Sequence, residues 1–142
     1  MSVIIVSGHG DFSLGLLDAF EMVFGTDEKI KAIPFKKGEG IPQLQEKYHE
    51  QLRLFPEEEI LFLVDIYGGT PYNAASQLIF GQENCDVVTG VNLPMLLETA
   101  AQKDQALVEL TKVAKTAGES SAKVFSEEIS KITHTDLEDD EL

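Results

Sequence analysis

The sequence predicts an α/β fold: a doubly wound, mainly parallel four-stranded sheet of order 2-1-3-4 with helices on both faces. Three observations predict it. Short β-branched runs alternate with segments of helical period. The clearest runs, Val3-Ile4-Ile5-Val6 and Ile60-Leu61-Phe62-Leu63-Val64, are apolar at every position, as strands buried on both faces are. Gly-rich breaks follow both runs.

Strand 1 is Val3 to Val6. Helix 1 follows, with Leu16, Leu17, Phe20, Val23 and Phe24 at helical spacing and Gly25 as its stop. Lys29 to Phe35 reads as strand 2. Pro42 opens helix 2, whose inner face is Ile41, Leu44, Tyr48, Leu52 and Phe55. Strand 3 is Ile60 to Val64. Thr70 is expected to cap helix 3 and Pro71 to start it, with Ala74, Ala75, Leu78 and Ile79 inward. Asp86 to Thr89 gives strand 4. Asn92 and Pro94 open helix 4, rich in Met95, Leu96, Leu97 and Ala100. Helix 5 runs from about Asp104 to Ala117, with Leu107, Leu110, Ala114 and Ala117 inward and Gly118 as its end. Residues 122–126 are a candidate for an extra edge strand. One domain over residues 1–126 is expected, with an acidic, flexible tail over residues 127–142.

Composition narrows the function. The chain has 142 residues and a net charge of −14, so phosphate backbones and anionic lipid would be repelled, and nucleic acid is not an expected partner. No apolar run approaches the ~18 residues of a membrane span. The lead has no basic flank and its apolar stretch is short, so a cytoplasmic address is expected. The single cysteine, Cys85, makes no internal disulfide and reads as a small hydrophobe in a strand. No metal and no cofactor is expected.

In an open parallel sheet, sites form beyond the carboxyl ends of strands where the strand order reverses. Order 2-1-3-4 puts that point between strands 1 and 3. The loops ending there begin with His9 and Asp65. A carboxylate on one imidazole nitrogen fixes the tautomer and leaves the other nitrogen a free lone pair, able to attack phosphorus. Gly8, Gly10, Gly68, Gly69 and Thr70 offer backbone or hydroxyl donors to a phosphoryl group. No Gly-x-x-x-x-Gly-Lys-Ser/Thr motif exists to hold a nucleoside triphosphate, and neither loop carries a lysine or arginine. Asp11 reads as a helix cap, His49 as a solvated surface residue, and His134 as part of the tail. A dinucleotide-binding reading of Gly8-His9-Gly10 fails because Ser13 stands at the third glycine position and no acidic residue ends strand 2.

Three segments carry a resemblance. Residues 3–10, 63–75 and 88–96 resemble, in order and spacing, the motifs of the mannose-type enzyme IIA family of the sugar phosphotransferase system. The likeness covers residues 1–125. It implies a phosphohistidine intermediate: His9 accepts a phosphoryl group from the histidine-containing phosphocarrier protein and passes it to a IIB component, which serves sugar uptake through a IIC/IID membrane complex. It also implies that Asp65 orients His9, that Tyr67 and Pro71 face partners, and that the chain forms a homodimer, with residues 122–126 as the exchanged strand. A free-standing IIA component is expected. Tyr67 stands where some members carry Trp, and the nearest hydroxyl before the histidine is Ser7. The phosphotransfer subunit of dihydroxyacetone kinases, which lacks the Gly-Gly-Thr-Pro-x-Asn segment, and a non-catalytic regulatory domain are the alternatives.

Overall fold

The computed structural model describes residues 1–132. The chain runs β1 (Ser2–His9), α1 (Phe12–Phe24), β2 (Ile30–Phe35), α2 (Ile41–Leu54), β3 (Glu59–Val64), α3 (Thr70–Ile79), β4 (Cys85–Thr89), α4 (Leu93–Ala101) and α5 (Leu107–Ser120). A further helical stretch covers residues 125–132. The strands form one parallel sheet in the order β2-β1-β3-β4, as expected.

β1 is apolar because it is central. It pairs with β2 on one side and β3 on the other, and helices cover both faces. Strand alternation then sorts its side chains. Ile4 and Val6 join Phe20, Leu61, Leu63, Leu96 and Leu110, drawn from α1, β3, α4 and α5. Val3 and Ile5 join Leu44, Tyr48, Phe62, Val64 and Ala74, drawn from α2, β3 and α3. Each large apolar side chain so buried contributes about 1.5–3 kcal/mol. The consequence for the site is geometric. The chain leaves β1 into a helix on one face and leaves β3 into a helix on the other, so the ends of these neighbouring strands flank an open crest.

Several local expectations shift. Val23 and Phe24 are exposed; α1 is buried through Ser13 and Phe20, with Leu16 and Leu17 partly covered. Periodicity identifies a helix face, but not how far along that face something lies against it. Gly69, in extended conformation, precedes the first residue of α3, so Thr70 is helical and not the cap. α5 starts at Leu107, after a turn over residues 102–104. That turn is anchored: Lys103 pairs with Asp27, and its carbonyl accepts the Ser2 N–H.

Gly118 lies inside α5 and does not end it. A Cβ there would press on the Met95 Cε methyl of α4, the end of a flexible side chain that has room to turn aside, so glycine eases the packing of α5 on α4. Residues 121–124 have no regular structure and 125–132 are helical, so residues 122–126 form no strand in the single chain. The expected tail boundary at 126 falls inside that helical stretch. His134 and the acidic run over residues 138–142 lie outside the described residues.

Candidate functional site

Parallel pairing of Ser7 with Val64 brings the ends of β1 and β3 level. His9 stands at the end of β1, and Asp65 immediately follows β3. Residues 56 positions apart in sequence therefore meet at the crest. Asp65 Oδ2 lies 2.7 Å from His9 Nδ1 and accepts the His9 backbone N–H at 3.0 Å. Asp65 Oδ1 accepts the Ile66 N–H at 2.9 Å.

These bonds act on the Asp65 carboxyl. Burial pulls the Asp65 carboxyl upward. The His9 amide, the His9 ring and the Ile66 amide outweigh burial and hold it below its ordinary value. Asp65 is thus an anion and can only accept, so the proton between the two side chains sits on His9 Nδ1. No protein group among the described residues bonds to Nε2. About half of the ring is open, with 49% of the side-chain surface accessible.

Neighbours fix the ring's attitude. Phe35, at the end of β2, meets it edge-on with centroids 5.7 Å apart. On the other side a Cβ at Gly69 would lie 2.9 Å from His9 Cε1, so the absent side chain leaves room for the imidazole. Gly8 does the same below: a Cβ there would meet the Phe12 ring at 2.7 Å and Asp65 Cγ at 3.1 Å.

The expected phosphoryl donors divide. Gly8 is buried within β1, where its value is space. Gly10 donates its N–H to the Phe35 carbonyl at 2.8 Å, so that amide is engaged. By contrast, the N–H groups of Gly68, Gly69 and Thr70, and the Thr70 hydroxyl, have no acceptor among the described residues. They stand where α3 begins, the positive end of its dipole.

Asp11 precedes α1, but its side chain makes no cap bond and pairs instead with Lys36 from beyond β2. A cation therefore stands beside the first loop although neither loop contains one. Tyr67 is 77% exposed, with its ring 4.8 Å from that of Tyr72. Pro71, expected to face a partner, is buried in the first turn of α3. His49 is exposed on α2. Among the described residues no cluster of His, Cys, Asp or Glu could hold a metal ion, and no helix is long and apolar enough to cross a membrane.

Sequence reading missed Tyr48, Phe35 and Lys36 as neighbours of the site. A signal existed for the first. Tyr48 places a hydroxyl on the face that the pattern assigns to the core, and buried hydroxyls need partners; Ser7, read as the start of the loop, is buried in β1 and supplies one.

Residues 3–117 match the family model EIIA-man, described as PTS system fructose IIA component. The chain is 47% identical over 146 residues to the PTS system fructose-specific EIIA component of Bacillus subtilis, with 100% of both chains covered. It is 41% identical over 129 residues to the PTS system mannose-specific EIIAB component of Escherichia coli. That match takes in 88% of this chain but 40% of the longer relative. The crystal structure of a phosphotransferase system EIIA component from Streptococcus agalactiae superposes with a TM-score of 0.80 at 29% identity, covering 89% of this chain and 99% of that one.

Proposed function

The chain belongs to the mannose-type EIIA family of the phosphotransferase system, and from that premise we propose that His9 is its phosphoacceptor. The observation that carries the reading is the 2.7 Å contact between His9 Nδ1 and an ionised Asp65, with the opposite nitrogen open. Nε2 attacks the phosphorus of a phosphohistidine on the histidine-containing phosphocarrier protein. The P–N bond of the donor breaks and its electron pair stays on the donor nitrogen, while a P–Nε2 bond forms. The Nδ1 proton stays in place. The ring gains positive character, which Asp65 offsets from the side away from the phosphoryl oxygens. Gly68, Gly69 and Thr70 supply donors to those oxygens. The reverse chemistry then loads a IIB component, which phosphorylates the sugar during uptake.

A nitrogen-to-nitrogen transfer needs no nucleotide. Nor does it need the sugar, which fits a family whose relatives carry fructose and mannose in their names. Partners meet the exposed apolar rim formed by Phe12, Ile66 and Tyr67 beside the pair. A homodimer, and work in the cytoplasm alongside the membrane components, complete the proposal. Support for self-association lies in the unpaired edge of β4 and in the exposed Val124, Phe125, Ile129 and Ile132.

Incubation with phosphoenolpyruvate, enzyme I and the phosphocarrier is expected to give acid-labile phosphate on the wild-type chain and none on His9→Ala. Undiminished labelling of that variant would remove the reading.

A further inference from the structure

Below the crest, one hydroxyl reaches both loops from the core side. Tyr48, on α2, has no exposed surface. Its phenol oxygen lies 2.9 Å from Ser7 Oγ and 3.0 Å from the Pro71 carbonyl. Ser7 Oγ donates to the Ile33 carbonyl at 2.8 Å. The Ser7 proton is therefore committed to Ile33, and the single phenol proton is shared between Ser7 Oγ and Pro71. The result is a bonded chain from β2 through β1 and α2 to the start of α3.

Each end of this chain is close to the site in sequence. Ser7 lies two residues before His9 along one strand, and Pro71 lies two residues after Gly69, which borders the imidazole. The phenol stays neutral: burial pushes its pKa well up, and the charge of Asp65 acts in the same direction. That coupling puts the hydroxyl within the electrostatic reach of the carboxylate it helps to place. A hydroxyl bonded on both sides costs little to bury, whereas one side left empty would carry the desolvation cost of an unpaired group.

We propose that Tyr48 is a positioning residue for phosphoryl transfer: by bridging Ser7 and Pro71, its hydroxyl sets the spacing of the two loops and so the tautomer and aim of the His9 ring. This rests on His9 as the phosphoacceptor. The alternative is a core tyrosine whose hydroxyl is merely satisfied. Both predict some loss of stability without it, so stability alone does not distinguish them.

The decisive variant is Tyr48→Phe, which removes one oxygen and keeps the ring packed edge-on against Phe62 at 5.0 Å. Ser7→Ala, a smaller change at the other end of the same bond, is the second. Two readouts apply. Long-range proton–nitrogen NMR of His9 across pH reports which ring nitrogen carries the proton. In wild type it is expected on Nδ1. In Tyr48→Phe the two tautomers are expected to mix, with Ser7→Ala shifting the same way by less. Initial rates of labelling by the phosphorylated carrier are expected to fall about tenfold in kcat, with KM for the carrier unchanged, as for a misaimed nucleophile. Wild-type tautomer and wild-type kcat in a folded Tyr48→Phe, or in Ser7→Ala should the first not fold, would overturn the proposal. The NMR measurement uses no phosphoryl donor. A wild-type chain that takes no phosphate on His9 would therefore defeat the functional reading, while the NMR result would still decide whether Tyr48 sets the tautomer of the His9 ring.

Discussion

The loop after β1 and the loop after β3 are alike in composition and differ in what they do with their glycine amides. Each follows a buried parallel strand and carries glycine beside an ionisable residue. In the first loop the glycine amide and the acidic side chain that follows it are tied to neighbours, the Gly10 N–H to Phe35 and Asp11 to Lys36, while the amides of Asp11, Phe12 and Ser13 at the start of α1 have no acceptor among the described residues. In the second, the amides of Gly68, Gly69 and Thr70 have no acceptor among the described residues. On the proposed reading, the first arrangement would hold the His9 nucleophile still. The second leaves donors ready for an anion. Aiming a nitrogen calls for satisfied backbone groups, and receiving a charged group calls for unsatisfied ones. A two-loop site meets both needs by dividing them.

The largest effect should come from Asp65, whose carboxylate meets the His9 ring directly. Asp65→Asn keeps the shape but loses control of the His9 tautomer and the charge that offsets the ring. Labelling by the phosphorylated carrier is expected to slow about a hundredfold or more. A near-normal rate would mean that the carboxylate does not act on the ring. Stability adds a check with a definite sign. The Asp65 carboxyl is held below its ordinary value: burial opposes this, and the bonds from His9 and Ile66 prevail. Its contribution is therefore present above the unfolded-state value of about 4 and is lost as pH falls through the folded value. Urea unfolding of wild type and Asp65→Asn should show a gap at neutral pH that closes in acid. A gap independent of pH would show that the charge does not support the fold.

Two alanines separate the loops more finely. At Gly69 a Cβ would press on His9 Cε1 at 2.9 Å, so Gly69→Ala should turn the ring and cut the transfer rate about tenfold. At Gly10 a Cβ would meet nothing within 4 Å, but the backbone φ is +59°. Gly10→Ala should thus cost about 1–2 kcal/mol of stability through backbone strain and leave transfer close to wild type. Thermal melts and labelling rates on both variants read this directly. The comparison breaks if Gly10→Ala harms transfer as much as Gly69→Ala does.

Strand order, the two crest loops and the meeting of His9 with Asp65 were all legible in the chain, because each follows from strong local signals. Apolar β-branched runs mark buried strands, and with four of them the switch point follows. Individual backbone groups were not legible. Whether the Gly10 N–H is free depends on the Phe35 carbonyl, and nothing near residue 10 reports on residue 35. Pro71 was expected to face a partner on the strength of the resemblance, yet it is buried and Tyr48 reaches its carbonyl from α2. Gly118 looked like a helix end because glycine often is one; the side chain packed over it, Met95, belongs to another helix. Each miss is a contact between segments distant in sequence, where local propensity is silent.

The smallest effect belongs to the pair that closes the first loop. Lys36 and Asp11 are both substantially exposed. Such pairs contribute about 0–1 kcal/mol and weaken with salt. Lys36→Ala should therefore shift the unfolding midpoint little at low salt and not detectably in high salt. Its effect on transfer tests the division itself. If the first loop only steadies His9, removing a peripheral cation leaves the labelling rate within about twofold, since the Gly10–Phe35 bond and the Asp65 contact remain. A large fall would mean that Lys36 leaves Asp11 to meet the phosphoryl group. Anion binding would then belong to both loops, and the contrast between a steadied loop and a receptive one would no longer describe this site.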